Sequence, residues 1–250
     1  MMNILLCGCQ GKMGQVITNL LSNYDNLKIA AGIDKTNSST SAYPIYQNVS
    51  HVTENIDVII DFSNPSLFDS LIDFALSKKV PIVICTTGLS SSQVQKIHAA
   101  SKSIPIFFSA NMSIGIQLLI RLVKDAAKLL HNDFDIEIIE KHHNKKIDAP
   151  SGTALMIADN INSVIPKKDF VFDRHSVNAP RSKSEIGIHS IRAGSISGEH
   201  TVMFASNDEI IEISHTALSK DVFGVGAINA CLFLKNKPAG LFTQFDFDGE

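Results

Sequence analysis

Chemistry is densest in the stretch Lys141-His142-His143-Asn144-Lys145-Lys146-Ile147-Asp148-Ala149-Pro150-Ser151-Gly152-Thr153. Five basic or titratable side chains fall within positions 141–146, followed by a Pro-Ser-Gly-Thr turn. Imidazoles titrate near neutrality and lysines carry a transferable proton, so the cluster has the chemistry of acid–base catalysis. The turn leads into an apolar-periodic run, Ala154, Leu155, Ile157, Ala158 and Ile161, which predicts a helix with Ser151 at its N-cap and Pro150 nearby. A helix start offers unpaired N–H groups and a positive dipole end to an anion. Cations, imidazoles and free amides together suit a small polycarboxylate or phosphate that is held while a proton is delivered. A solvated basic turn is the competing reading. A metal site is not expected. Adjacent histidines point apart on a strand, and neither Cys nor an acid stands at a zinc-like spacing from His142 and His143.

The elements that must position this stretch divide into two classes. Asn3-Ile4-Leu5-Leu6-Cys7 reads as a buried parallel strand. Gly8-Cys9-Gln10-Gly11-Lys12-Met13-Gly14 follows, and Val16, Ile17, Leu20 and Leu21 then mark a helical face. Strand, glycine turn and helix form the context of a dinucleotide-binding loop, with Gln10 standing where a second glycine is usual. The next strand, Leu27 to Ile33, ends at Asp34, an acid placed to accept from adenine-ribose hydroxyls. Asp34 repels a 2′-phosphate and Lys35 attracts one, so the sequence leans to NAD(H) without excluding NADP(H). Thr36 to Ser41 is a Ser/Thr-rich loop. Further strands are predicted at 57–62, 80–85 and 104–108, with helices between them, which gives a doubly wound parallel sheet. In such sheets ligands bind beyond the carboxyl ends of the strands. Those ends are Gly8–Met13, Asp61–Ser63, Cys85-Thr86-Thr87-Gly88 and Ser109-Ala110-Asn111-Met112.

Past Ile114 the pattern changes. A long amphipathic helix, Ile114 to Leu130, leads to an alternating strand, Asp135 to Glu140, which delivers the basic cluster at its end. A polar stretch, Pro166 to Glu185, precedes strand-like runs at Ile186–Arg192, His200–Ala205 and Glu209–His215, separated by short turns. The fold class is therefore α/β, a Rossmann-type cofactor domain (1–113 and 221–250) joined to an α+β substrate and oligomerisation domain (114–220) with a mixed or antiparallel sheet. The apolar helix Val222 to Leu234 returns to the first domain, with Gly224, Gly226 and Ala227 permitting close packing. An open sheet in the second domain exposes a face or an edge, which predicts a homo-oligomer. The acidic tail, Phe245 to Glu250, has no assigned role.

Composition sets the remaining bounds. With 250 residues, 44% of them apolar, the chain can bury one large core or two modest ones. A net charge of −3 argues against a general nucleic-acid surface. Cys7, Cys9, Cys85 and Cys231 are scattered in apolar surroundings, which suits a reducing cytosol rather than a disulfide framework. No stretch of about 18 apolar residues occurs, and the amino terminus lacks a basic leader, so a soluble cytoplasmic protein without membrane partners is expected.

These motifs together resemble the dihydrodipicolinate reductase family. The resemblance rests on Gly-x-x-Gly-Lys-Met-Gly at 8–14, Cys85-Thr86-Thr87-Gly88, Ser109-Ala110-Asn111-Met112-Ser113 and His142-His143-x-x-Lys-x-Asp-Ala-Pro-Ser-Gly-Thr-Ala. It extends to Ile191-Arg192-Ala193-Gly194, Gly198-Glu199-His200-Thr201 and the Ser214-His215-x-Ala-x-Ser run, in order along nearly the whole chain. It implies NAD(P)H-dependent reduction of a cyclic dicarboxylate in lysine and diaminopimelate biosynthesis. By the same resemblance, cofactor contacts fall on Gly8, Cys9, Gln10, Gly11, Lys12, Met13, Asp34, Cys85, Thr86, Thr87, Ser109, Ala110, Asn111 and Met112. The acid–base role falls on His142 and proton donation on Lys146. Substrate contacts match His143, Gly152 and Thr153, with Ser151 opening the anion-holding turn, and assembly as a homotetramer is implied. Cys85 stands where glycine is common in the family, Met112 where Phe is frequent, and Lys220 where many members have Arg. A dehydrogenase for another small acid, and a non-catalytic NAD(H)-sensing regulator, are the alternatives. The regulator has no need of proton donors.

Overall fold

The structure, a computed structural model, describes residues 1–36, 41–109 and 111–247. Most of the Ser/Thr-rich loop, together with Ala110 and the end of the acidic tail, lies outside the described residues. In chain order the elements are β1 (Met2–Cys7), α1 (Lys12–Leu21), β2 (Leu27–Ile33), β3 (Ile45–Tyr46), β4 (Val58–Asp61), α2 (Pro65–Lys78), β5 (Ile82–Ile84), α3 (Ser91–Ala100) and β6 (Pro105–Phe108). Then come α4 (Ile114–Leu130), β7 (Asp135–His142), α5 (Gly152–Asn162), β8 (Asp169–Val171), β9 (Glu185–Arg192), β10 (Glu199–Ala205), β11 (Ile210–Thr216), α6 (Asp221–Leu234) and β12 (Gly240–Phe242).

Two compact units result, Met1–Ser113 with Lys220–Glu250, and Ile114–Ser219. The first holds a seven-stranded sheet in the order β12-β6-β5-β4-β1-β2-β3, every adjacent pair parallel. Its strands are apolar on both faces because both faces are covered. Leu5 and Cys7 pack with Phe68, Leu71 and Ile97 of α2 and α3, while Ile4 and Leu6 pack with Ile17 of α1 and Ile228 of α6. α6 closes this second layer at close range. A Cβ on Gly226 would lie 1.7 Å from the Met112 carbonyl oxygen, and one on Gly224 would lie 2.6 Å from Leu20 Cδ1. The doubly wound parallel sheet is as expected.

The second unit carries a five-stranded mixed sheet, β11-β10-β7-β9-β8, in which β10 runs antiparallel to both neighbours and β9 parallel to both of its own. One face is apolar: Ile136 and Ile138 of β7, Ile186 and Ile188 of β9, and Val202 and Phe204 of β10 pack under α4 and α5. Three strands escape the sequence pattern: β3, β8 and β12. Each has two or three residues and sits at the edge of its sheet, too short to show a period of two.

Candidate active site

On β7 the residues two apart share a face, so the inner row reads Ile136, Ile138, Glu140, His142. The apolar row thus turns polar as the strand leaves the core. Glu140 is fully buried, and its carboxylate is the hub of the site. His142 Nδ1 lies 2.5 Å from its Oε2. Arg192, register partner of His142 on the parallel strand β9, donates from Nη1 at 2.9 Å and from Nη2 at 2.7 Å, one bond to each oxygen. The Ser151 N–H donates to Oε1 at 3.1 Å. Burial alone would push the Glu140 carboxyl up, but hydrogen bonds from Arg192, Ser190 and His142 outweigh it and hold it down at about 2. Glu140 is therefore a carboxylate throughout the neutral range.

His142 responds to the same surroundings with the opposite balance. Burial lowers its pKa, the Glu140 carboxylate raises it in part, and Lys146 and Arg192 lower it again. The net direction is down, so at neutral pH the ring is mainly neutral. His200 of β10, opposite Glu140 in the register, stacks edge-on to His142 with ring centroids 5.3 Å apart. Its Nε2 lies 3.2 Å from Ser151 Oγ, and burial pushes it down to about 3. Ser151 is the N-cap of α5, its Oγ accepting from the Ala154 N–H at 3.2 Å. With its side chain buried between the helix start and His200, Ser151 acts by holding the turn. Gly152 and Thr153 open the helix, and among the described residues nothing lies within 4 Å of where a Cβ on Gly152 would stand. That opening leaves room for a carboxylate at the helix start.

Beyond β7 the loop is tied to the β9–β10 connection. Asn144 N–H donates to the Gly194 carbonyl at 3.2 Å, and Ala193 N–H to that of His142 at 2.9 Å. Lys146 Nζ lies 2.8 Å from Asp148 Oδ1, and Arg192 Nη2 donates to the Asp148 carbonyl at 2.6 Å. Asp148 thus holds the lysine head in place, and burial of its carboxyl is outweighed by Lys146, which lowers its pKa. His143 is half-buried, with no partner for Nδ1 among the described residues. The second unit brings His142, His143, Lys146, Ser151, Gly152 and Thr153 onto one strand end and the helix start that follows.

The first unit gathers the other candidates at the carboxyl ends of its parallel strands. Gly8 to Gly11 form the β1–α1 turn, and Lys12 and Met13 open α1. Gly8 has φ +73°, and a Cβ there would lie 2.4 Å from the Phe62 carbonyl oxygen, so no other residue fits. The N-cap of α1 is Gly11, with no side chain to fill the cap, whereas α2, α3 and α5 are capped by Asn64, Ser90 and Ser151. An uncapped helix start after a glycine turn is suited to a pyrophosphate. Asp34, at the end of β2, accepts from Gln10 N–H at 2.9 Å and Lys35 N–H at 2.8 Å, which ties this acid to the glycine turn. The Gln10 side-chain nitrogen is buried without a partner among the described residues. A cavity of about 360 Å³ opens here, lined by Gly8, Gly11, Asp34, Lys35 and Ser63 among others. These features fit a nicotinamide dinucleotide.

Cys85 and Thr86 follow β5 and are buried, as are Cys9 and Met112, so these four offer backbone rather than side chains. Thr86 Oγ1 donates to the buried Asp61 at 2.8 Å, and the Ser63 N–H donates to it at 3.0 Å. Burial raises the Asp61 pKa and these bonds partly offset it. Asp61 thereby joins the loops after β4 and β5. After β6, Ser109 Oγ donates to the Asn111 carbonyl at 2.8 Å, and Gln244 donates to Ser109 from the C-terminal segment. Ala110 lies outside the described residues. No group of three or more His, Cys, Asp or Glu is placed to hold a metal ion among the described residues, and no described helix is long and apolar enough to cross a membrane.

Sequence reasoning gave no role to Glu140, Arg192 or His200. The signal for Glu140 was present, since an acid at the same strand parity as Ile136 and Ile138 must be buried. Arg192 and His200 depend on which strands flank β7, and no local pattern gives that.

Comparison with known proteins bears on both units. Sequence models of dihydrodipicolinate reductase match residues 2–112 for the N-terminal domain and 115–247 for the C-terminal domain. The chain is 49% identical over 245 residues to the 4-hydroxy-tetrahydrodipicolinate reductase of Clostridium tetani, covering 98% of this chain and 96% of that one. To the protein of the same name from Staphylococcus aureus it is 46% identical over 242 residues, covering 97% and 98%. Among solved structures it is similar to dipicolinate-bound dihydrodipicolinate reductase from Paenisporosarcina sp. TG-14, with TM-score 0.80, 25% identity and 97% of each chain covered. An aspartate dehydrogenase from Thermotoga maritima, 12% identical with TM-score 0.53 over 95% of this chain and 98% of that one, shares the fold alone.

Proposed function

From the premise that the chain belongs to the dihydrodipicolinate reductase family, we propose how its residues divide the reaction. The protein is an NAD(P)H-dependent oxidoreductase that reduces 4-hydroxy-tetrahydrodipicolinate to tetrahydrodipicolinate in lysine and diaminopimelate biosynthesis. A hydride and a proton are added and the hydroxyl leaves as water. Bound reduced nicotinamide supplies the hydride.

The chain's own residues hold both reactants and move the proton. In our reading the α1 start with Gly8 to Met13 takes the pyrophosphate, Asp34 takes the ribose hydroxyls, and the loops 85–87 and 109–112 take the nicotinamide end. Asp34 favours NADH and the neighbouring Lys35 keeps NADPH usable. In the second unit the amides of Gly152 and Thr153 receive one substrate carboxylate, with His143 as a further contact and Lys146 adding countercharge. The helix dipole contributes only about 0.3–1 kcal/mol at such a site, so the charged lysine weighs more. Lys146 donates the proton and His142 serves as acid–base partner. Each step of this kind is worth roughly 10²–10⁴-fold in rate. The observation that carries the assignment is the convergence of His142 held by Glu140, Lys146 paired with Asp148 and an open helix start at Gly152 on one strand end.

We place the protein in the cytoplasm, in keeping with four free cysteines. We assign it a homotetrameric assembly through the second sheet, where Ile191, Ile210 and Ile211 are exposed. The test is direct. The purified protein is supplied with NADH or NADPH and the condensation product of pyruvate and aspartate semialdehyde, and absorbance is followed. Oxidation with at least one cofactor is expected, and none with either would reject the proposal.

A further inference from the structure

We propose that Glu140 is the positioning residue of this site. It fixes the His142 ring with its proton on Nδ1, so that Nε2 is the nitrogen that serves the substrate. The inference rests on His142 being the acid–base residue, but it is tested apart from that role.

Glu140 and His142 are on the same side of β7, and the 2.5 Å contact from Glu140 Oε2 to Nδ1 is the shortest polar contact of the ring. Oε2 also receives Arg192 Nη1, and Oε1 receives Arg192 Nη2 and the Ser151 N–H. Arg192 and the Ser151 N–H have no acceptor to offer back, and the Ser190 hydroxyl adds a further hydrogen bond that favours the ionised carboxyl. A carboxylate so surrounded only accepts, and the ring nitrogen facing it must carry a proton. Charged and titratable groups around the pair act in the same sense or leave it unchanged. Arg192 completes the carboxylate's charge balance. His200 stacks on the ring from β10 and is neutral because it is buried. His215, opposite His200 on β11, is held below its ordinary pKa by burial. Lys146, ion-paired with Asp148, raises the cost of an imidazolium.

The other ring nitrogen has a different setting. A Cβ on Gly198, in the β9–β10 connection, would stand 3.2 Å from His142 Nε2. The glycine therefore keeps the space beside Nε2 clear. One nitrogen is engaged by a buried acid and the other adjoins a position with no side chain. Fixing a tautomer through a carboxylate is a recurrent means of preparing an imidazole for proton transfer, and its loss can cost several orders of magnitude in turnover.

The experiment is a two-bond ¹H–¹⁵N correlation spectrum of the full-length protein labelled at histidine, at a pH where His142 is neutral. The His142 signals are assigned by their loss in His142→Asn. The expected pattern is Nδ1 protonated and Nε2 unprotonated. In Glu140→Gln the neutral ring should shift toward the Nε2–H form, and kcat should fall by about 10²-fold or more while the KM for cofactor stays within about twofold. Glu140→Asp should recover part of the rate and the Nδ1–H signature. An Nε2–H tautomer in the wild type overturns the proposal, and this reading holds even if Glu140→Gln fails to fold. A folded Glu140→Gln with unchanged tautomer and kcat overturns it as well. Failure of the proposed activity would appear separately, as a wild type without NAD(P)H oxidation whose spectrum still shows which nitrogen is protonated.

Discussion

Replacing His200 with glutamine should flatten the acid side of the protein's stability curve. His200 is buried at 3% exposure, and its pKa is pushed from the ordinary 6.5 to about 3. When the chain unfolds the imidazole returns to near 6.5, so between these values the unfolded state binds a proton that the folded state refuses. Stability is then full above pH 6.5 and falls as pH falls toward 3. At pH 5 the unfolded ring is 1.5 pH units below its pKa, which corresponds to about 2 kcal/mol lost relative to pH 7.5. Glu140 does not enter this window. Its folded pKa is held at about 2, so its contribution is present above its ordinary 4.5 and is lost only as pH falls below that value. His142 and His215 are also lowered by burial and add to the slope, but both remain in the variant. The difference between wild type and His200→Gln therefore isolates His200. Urea unfolding followed by circular dichroism at matched protein concentration, from pH 7.5 to pH 5, gives that difference directly. At pH 7.5 the variant should be the weaker, having lost the ring packed on His142. By pH 5 the gap should narrow by about 2 kcal/mol. Two stability curves that run parallel across the window would refute the reasoning, as would a titration of His200 near 6.5 in the folded protein.

Other expectations bear on the remaining assignments. Lys146→Ala should lower kcat by about 10²-fold or more while leaving NADH affinity, measured by fluorescence quenching, nearly unchanged; full activity would contradict its role as donor. Asp34→Ala should weaken NADH more than NADPH in direct binding, because the acid favours free ribose hydroxyls and repels a 2′-phosphate; equal weakening would show that it does not contact the ribose. Gly8→Ala should destabilise the first unit by at least about 1–3 kcal/mol in urea melts and abolish cofactor binding, since φ +73° and a contact of 2.4 Å with Phe62 leave no place for a methyl group. Wild-type stability in that variant would mean that the turn relaxes freely.

Local pattern carried much of the fold because parallel strands buried on both faces leave continuous apolar runs, and glycine turns and helix caps punctuate them. Asn64, Ser90 and Ser151 cap α2, α3 and α5 at the Asn-Pro break, the Ser-Ser-Ser run and the Pro-Ser-Gly-Thr turn. The edge strands β3, β8 and β12 left no such trace, since two or three residues cannot establish a period and their pairing is decided by the sheet they join. The candidate site divides the same way. His142 to Thr153 lie in one stretch of chain and could be read together. Arg192 and His200 come from strands 50 and 58 positions after His142, and only the order β10-β7-β9 sets them on either side of β7.

Glu140 marks where reading the strand by composition fails and reading it by parity succeeds. As one of three acids in an alternating strand it looks like part of a solvated face. The consecutive Ile138-Ile139 pair breaks that alternation, and counting by twos from Ile136 places Glu140 and His142 on the buried row. An acid buried there without partners would be costly, so the sheet must bring it cations and amide donors. β9 supplies Arg192 and the turn before α5 supplies the Ser151 N–H. The need of one buried carboxylate therefore ties the His142 imidazole, the Arg192 guanidinium and the start of α5 to a single point, and substituting Glu140 should disturb all three at once.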